Sequence, residues 1–398
     1  MAYREDLFRA SSLLPEAQRI LGKYKLCDGH NDLPWTMRNM DEDGLGGEVP
    51  RLNKWDLDKN HKGTTFSGPG HACLHTDIPR LREGGVGWQF WSVYAPTSKQ
   101  GPVAVQYTLE QIDFVKRLCA KYPEHLELAS SADDVERIMK AGKIASMCGM
   151  EGGHQINGSL ASLRMFYALG VRYMTLTHNG GPGWADPAMG FKNEFLPEAT
   201  LGGLTAFGRA VVGEMNRLGM MVDLSHVHPA TMKAALAVTR APVVFSHSSS
   251  RALCDHPRDV PDDVLAMLPI NGGVVMVTFV SEFVAGPFWV SSDGAVGATV
   301  IEVADHIDHI KRVAGVDHIG LGGDYDGCTS LARGLEDVSG YPNLIAELLY
   351  RGYTEDELEK ILHTNLLRIL RAAEAVSDSM KDTLPSEAVF FPEDLDKI

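Results

Sequence analysis

Nowhere in the chain is there an uninterrupted apolar run of about 18 residues, the length a helix needs to cross a bilayer. The N-terminal stretch MAYREDLFRASSLLPEAQRILGKYK has helical amphipathic spacing but lacks the apolar centre of a secretory leader. The C-terminal PSEAVFFPEDLDKI ends in charge and offers no lipid-anchor signal. The expectation is a cytoplasmic protein without a membrane partner. Cysteine is sparse: Cys27, Cys73, Cys119, Cys148, Cys254 and Cys328 occur without CxxC spacing, which suggests free thiols rather than a disulfide framework. Basic residues are outnumbered, 37 Lys and Arg against 52 Asp and Glu, for a formal net charge of −15. A phosphate backbone demands a basic surface, so nucleic acid is excluded as a partner. Acidity can attract cations but names no substrate. No internal repeat, low-complexity segment or polar linker divides the 398 residues.

What the chain does contain is a recurring unit: a short apolar run, a polar turn, then a helical pattern. The runs are 25–28, 87–94, 144–150, 173–177, 220–224, 242–246, 273–279 and 318–321. Amphipathic stretches fall at 109–122, 203–218, 231–238, 300–314 and 354–373. Apolar runs without alternation suit strands buried on both faces, as in a parallel sheet. Eight of them alternating with helices predict a (β/α)8 barrel, one domain over 1–398 with helical extensions at both ends. Such barrels routinely exceed ordinary domain size.

Chemistry-bearing side chains fall at the ends of these runs. CDGHND places His30 and Asp32 two apart, so strand alternation points both the same way. MCGMEGG delivers Glu151, LTHNGG His178, DLSH His226, FSH His247, and GLGGDYDG both Asp324 and Asp326. Barrel enzymes collect catalytic groups at this rim, so the candidates converge on one space. Three imidazoles, an aspartate and a glutamate suit Zn²⁺ or a similar first-row divalent ion. One ligand set would be His30, Asp32 and Glu151, the other Glu151, His226 and His247, with Glu151 as the bridge. Two such ions about 3.5–4 Å apart can hold a hydroxide at neutral pH and polarise an amide carbonyl. Taken singly, each feature has a plain alternative: a histidine bonded to backbone, a glutamate near a helix start, aspartates serving a glycine-rich turn. Joint occurrence at successive strand ends favours the metal reading. His61, His71, His75, His154, His228, His256, His306, His309, His318 and His363 read as structural or surface groups, although His228 shares strand-like spacing with His226.

Taken with CDGHNDLPW, these segments resemble the membrane (renal) dipeptidases, within the amidohydrolase-like barrels. GWQFWSVY, MEGGHQI, LTHN with WADP, MVDLSHV, PVVFSHSSSRALCDHPRDVPDD, GLGGDYDG, GLEDVSGYPNLIAELLYRGY and NLLRIL carry the resemblance over about 28–371. It implies a dipeptidase with two zinc ions held by the five ligands named above. It implies further that His178 stabilises the oxyanion and that Arg258 binds the substrate's terminal carboxylate, which a guanidinium fork fits. Asp324 would shuttle the proton as acid/base, with Asp326 the alternative within the same motif. A homodimer is expected on the same ground. Thr97 and Asn179 stand where secreted members carry disulfide cysteines, and Phe283 stands where a substrate-side tyrosine is expected. The resemblance extends to fungal secondary-metabolism enzymes of the gliotoxin type, which act on Cys-Gly adducts derived from glutathione. Two other readings stay open at this point. One is a related barrel hydrolase of N-acyl amino acids or cyclic amides; the other is an inactive barrel that serves as a binding protein.

Overall fold

The computed structural model describes residues 9–39, 52–64, 73–286 and 297–390. Among the described residues nine parallel strands are present: β1 (Leu26–Asn31), β2 (Val86–Tyr94), β3 (Leu126–Leu128), β4 (Ile144–Glu151), β5 (Val171–Thr175), β6 (Met221–Asp223), β7 (Val244–Ser248), β8 (Val274–Val277) and β9 (Ile319–Leu321). The ladder runs β1-β2-β4-β5-β6-β7-β8-β9 and closes through β9 on β1, giving an eight-stranded barrel. This is the (β/α)8 fold expected, and each of the eight apolar runs lies on one of its strands. The short β3 is extra. It lies along Ile144–Ser146, and β5 takes over the same edge of β4 from Cys148.

The lack of alternation in the sequence has a direct cause. Along β4 every residue is buried, but Ala145 and Met147 join the core inside the barrel while Ile144, Cys148 and Met150 join the core beneath the helices. Both destinations are apolar, so no alternation of polar and apolar residues marks the pleat, Ser146 being small and buried like its neighbours. Glu151 continues the inward parity of Ala145 and Met147, which carries its carboxylate to the barrel mouth. At Gly149, on the same parity, an added Cβ would lie 2.0 Å from the Tyr173 ring; glycine therefore lets that ring cross the barrel interior.

The helices follow the amphipathic stretches with shifted ends. The first begins at Pro102 rather than 109 and runs to Lys121, since proline at the first turn starts a helix without losing a hydrogen bond. Helix Ala206–Leu218 begins after Thr205, whose side chain accepts from Gly208 N–H. Helix Leu160–Leu169 had no counterpart among the expected stretches. The stretch 354–373 is a helical turn, a π-helical segment Lys360–Thr364 and the helix Asn365–Ser379. That last helix contributes Leu366, Ile369 and Leu370 to the same buried cluster as Ala145 and Met147, and another helix, Leu14–Tyr24, precedes β1. Among the described residues no helix is long and apolar enough to cross a membrane. All six cysteines are free.

Candidate metal centre and substrate cavity

All five expected ligands meet at the C-terminal ends of the strands. His30 Nε2 lies 3.0 Å from Asp32 Oδ2 and 3.6 Å from Glu151 Oε1. On the other side of Glu151 Oε1, His226 Nε2 stands at 3.0 Å and His247 Nε2 at 3.4 Å. One carboxylate oxygen thus faces three imidazole nitrogens, while Glu151 Oε2 accepts from Ser92 at 3.2 Å. His178 Nε2 is 3.7 Å from the same Oε1, and Asp324 Oδ1 is 3.9 Å from His30 Nε2. The rings stack, His30 on His247 at 3.8 Å and His178 on His226 at 4.2 Å between centroids.

The hydrogen bonds on the far side of each ring test whether a cation belongs there. His30 Nδ1 meets Tyr173 Oη at 3.0 Å, and that hydroxyl donates to the Gly29 carbonyl. Its proton is therefore used, and His30 Nδ1 must be the donor. His226 Nδ1 meets Asn179 Oδ1 at 3.1 Å, an atom that can only accept. The Asn179 amide nitrogen donates to Asn193 Oδ1 at 2.9 Å, which orients the group. In both histidines Nδ1 carries the proton and Nε2 is turned toward carboxylate oxygen and the other rings. His226 Nε2 and His247 Nε2 are 3.0 Å apart, and among the described residues the buried His30 Nε2 makes no hydrogen bond of ordinary geometry, although Asp32 Oδ2 lies 3.0 Å away. Bare imidazole nitrogens beside a carboxylate repel one another unless a cation lies between them, and anchoring the other ring nitrogen is how metal-binding histidines are oriented. The donor set of nitrogen and carboxylate oxygen is that of a borderline first-row ion. Groups of three that could hold a metal are His30, Glu151 and His247; Glu151, His178 and His226; and His30, Asp32 and Asp324. The residues fit a metal.

Burial lowers the pKa of His178, His226 and His247 well below the ordinary imidazole value, favouring the neutral form that ligates. His30 is the exception: burial pulls it down, but the Tyr173, Asp32 and Glu151 side chains outweigh that and raise it, so its surroundings favour positive charge. Burial raises both Glu151 and Asp324. His226 at φ 66° and Asp324 at φ 61° adopt left-handed backbone, which costs about 1–3 kcal/mol for a residue other than glycine and collects at functional sites.

Above the ligands is a cavity of about 290 Å³ lined by Asp32, Glu151, His178, His226, Arg258 and Asp324, with Trp35, Tyr94, Phe283, Gly327 and Cys328 among its other walls. Arg258 is buried, its Nε and Nη1 have no hydrogen-bond partner among the described residues, and Nη2 donates one 3.4 Å hydrogen bond to the His247 carbonyl. Burial lowers its pKa, as expected of a guanidinium short of partners. Its guanidinium lies 5.2 Å from the Phe283 ring centroid, and Phe283 stacks on His256 at 4.5 Å. The two aspartates of DYDG separate. Asp324 faces the cavity, whereas Asp326 Oδ1 accepts from His75 N–H at 2.9 Å and its own N–H donates to His75 Nδ1.

Among the histidines read as structural, His154, His306 and His318 bond to backbone carbonyls and His228 caps the helix Pro229–Val238, so its spacing to His226 carries no ligation. His71 lies outside the described residues. Tyr94 was not singled out from the sequence, yet it ends β2 directly opposite Glu151 at the end of β4, and the strand-end rule applied to the aromatic would have found it. Tyr173, Ser246 and Asn179 hold the rings from behind. Asn179 stands where a disulfide cysteine was expected in secreted relatives and here orients His226 instead.

The profile of the membrane dipeptidase family (peptidase family M19) matches residues 14–383. Dipeptidase 3 of Mus musculus is 44% identical over 381 residues, spanning 96% of this chain and 71% of that protein. Dipeptidase 3 of Rattus norvegicus is 43% identical over 378 residues, spanning 95% and 71%. A metallo peptidase from Rhodobacter sphaeroides, liganded with a phosphinate mimic of the dipeptide L-Ala-D-Ala, superposes with a TM-score of 0.69 at 25% identity, covering 88% of this chain and 99% of that one. A probable dipeptidase from Pseudomonas aeruginosa shares the fold with a TM-score of 0.75 at 22% identity, covering 92% and 99%. The chain belongs to the membrane dipeptidase family, peptidase family M19, and is a metal-dependent peptide-bond hydrolase.

Proposed function

We propose that the enzyme hydrolyses free dipeptides, Cys-Gly or S-conjugated Cys-Gly among them, and that His30, Asp32, Glu151, His226 and His247 would hold two zinc ions, with Glu151 common to both halves of the site. Such ions, when bound, supply an activated water at neutral pH and polarise the scissile carbonyl. The observation that carries the reading is the pairing of one converging ligand cluster with one buried guanidinium short of partners in the same cavity. Arg258 takes the substrate's terminal carboxylate through a paired, charge-assisted contact and so sets where the peptide ends. His178, kept neutral by burial, donates N–H to the developing oxyanion. Asp324, at the cavity wall beside His30, receives a proton from water and delivers it to the leaving amine. The dipeptide mimic bound to the Rhodobacter relative supports this substrate class.

Phe283 supplies an apolar face beside Arg258, so the C-terminal residue is held by one cation and no hydroxyl at that position. Six free thiols suit a reducing, cytoplasmic compartment, and a homodimer is part of the same proposal by family resemblance. A place in secondary metabolism, trimming glycine from Cys-Gly adducts, is its narrowest element. The test is steady-state hydrolysis of Cys-Gly, S-conjugated Cys-Gly, a tripeptide, an N-acyl amino acid and a cyclic amide by the zinc-loaded enzyme. Dipeptides should be cleaved and the tripeptide left intact. Preference for the N-acyl amino acid or the cyclic amide would replace this reading with the related hydrolase. Cleavage of Cys-Gly without its S-conjugates would remove the secondary-metabolism element.

A further inference from the structure

The end of β6 carries a buried carboxylate that the chemistry above does not use. Asp223 has no solvent exposure and does not line the cavity. Four donors converge on it. The backbone N–H groups of Ser225 and Ser246 reach Oδ1 at 3.1 and 2.9 Å. The hydroxyls of Thr175 and Ser246 reach Oδ2 at 2.5 and 2.6 Å. The carboxylate is thus an acceptor in every contact, and it joins the ends of β5, β6 and β7.

One of these contacts leads onward to the metal cluster. A hydroxyl has a single proton, and of the two acceptors within reach of Ser246 Oγ, Asp223 Oδ2 at 2.6 Å and Ser225 Oγ at 3.4 Å, the nearer and charged one takes it. Ser246 Oγ can then only accept from His247 Nδ1, which lies 2.8 Å away. His247 consequently carries its proton on Nδ1, and Nε2 faces Glu151 and His226 with a free lone pair. His30 and His226 reach the same state through partners that accept directly, a spent tyrosine hydroxyl and an amide oxygen. A serine hydroxyl has no such bias of its own, because it can donate or accept equally well. The buried carboxylate behind it supplies the bias.

We propose that Asp223 is a positioning residue that acts through Ser246 to hold His247 in the Nδ1–H tautomer and so commits Nε2 to a divalent cation; this rests on the metal-site reading above. Replacing Asp223 by asparagine puts a donor where at least one pair of donors now points. The Ser246 hydroxyl then turns its proton onto His247 Nδ1, and the ring must carry its own proton on Nε2, where an ion would bind. Thr175 gives an internal comparison. Thr175→Val removes another hydrogen bond to the same Asp223 oxygen but leaves the Ser246 link untouched.

The experiment uses full-length Asp223→Asn, Ser246→Ala and Thr175→Val proteins. Zinc affinity of the stripped proteins is measured by chelator competition. Ring tautomers in the stripped proteins are read from ¹⁵N-histidine NMR, with the His247 signals assigned by their loss in His247→Asn. In the expected result Asp223→Asn and Ser246→Ala weaken one zinc site about 10–100-fold, the range typical of second-layer ligands. Thr175→Val keeps wild-type affinity, and His247 changes from the Nδ1–H to the Nε2–H pattern in Asp223→Asn. The inference is overturned if Asp223→Asn binds zinc like the wild type, if Thr175→Val loses as much as Asp223→Asn, or if wild-type His247 is already Nε2–H. Should the wild-type protein take up no zinc, the metal-site reading fails, and the tautomer comparison still decides the role of Asp223.

Discussion

Replacing Arg258 by methionine separates substrate recognition from fold. Arg258 is only 2% exposed, and among the described residues its guanidinium makes one hydrogen bond, at 3.4 Å to the His247 carbonyl, beside the Phe283 ring at 5.2 Å, so little hydrogen bonding is lost inside the molecule when it goes. Asp324, Glu151 and Asp259 lose a nearby counter-charge, so some stability is lost, and the metal-loaded protein is the form to compare. What is lost is the anchor for the substrate carboxylate. Two charge-assisted hydrogen bonds at about 1.5–3 kcal/mol each give about 3–6 kcal/mol. At about 1.4 kcal/mol per factor of ten, kcat/KM for a dipeptide should fall by about 10²–10⁴. The decisive comparison is a dipeptide against its C-terminal carboxamide. Wild-type enzyme should prefer the free acid by a factor of that size, whereas Arg258→Met should treat the two within about tenfold, because the neutral amide never engaged the charge. Thermal unfolding of the metal-loaded variant checks that the fold is intact. A variant that still prefers the free acid by the wild-type factor would refute the role given to Arg258.

Glu151→Gln should lower metal content below that of the wild type at both halves of the site, since Glu151 Oε1 faces His30, His226 and His247 together; elemental analysis of the purified variant reads this directly. Gly322→Ala should destabilise by about 3 kcal/mol in urea unfolding, because its Cβ would lie 1.9 Å from the Ser246 carbonyl oxygen and the backbone must move. Gly22→Ala, in the helix Leu14–Tyr24 with open space around it, should stabilise by about 0.5–1 kcal/mol in the same assay. Burial lowers His306 to about 4, and its Nδ1 accepts from Ser250 N–H, so the folded protein resists a second ring proton. Between that value and about 6.5 the unfolded chain binds more protons, so stability falls as pH drops through this window, by up to about 1.4 kcal/mol per pH unit from this residue. His306→Gln should flatten that slope in urea titrations at pH 7 and pH 5; an unaltered slope would count against it.

The barrel was legible because burial on both strand faces writes continuous apolar runs, and eight of these returned as strands. β3 was missed for the converse reason: Leu126–Leu128 is three residues long and its Leu128 is exposed. The candidate metal cluster was legible because polar groups at the ends of buried strands have nowhere to point but the mouth. The choice between Asp324 and Asp326 was not, since both lie in one glycine-rich motif, and only the backbone turn sends the first to the cavity and the second to His75. Nor could spacing show that Tyr173, Asn179 and Ser246 sit behind the histidines. Those contacts join residues 47 and 143 positions apart, or depend on a neighbour's rotamer. The role expected of Arg258 came from resemblance alone, because a loop arginine carries no periodic signal, and the structure adds its burial and its unpartnered nitrogens.

The most direct test of the dinuclear dipeptidase is metal content per chain, measured together with Cys-Gly hydrolysis before chelation, after it, and on return of zinc. The expected result is about two divalent ions per chain, glycine release abolished by the chelator, and its recovery as zinc is restored. A chain that binds no metal, or one that cleaves Cys-Gly equally well when stripped, would contradict the account.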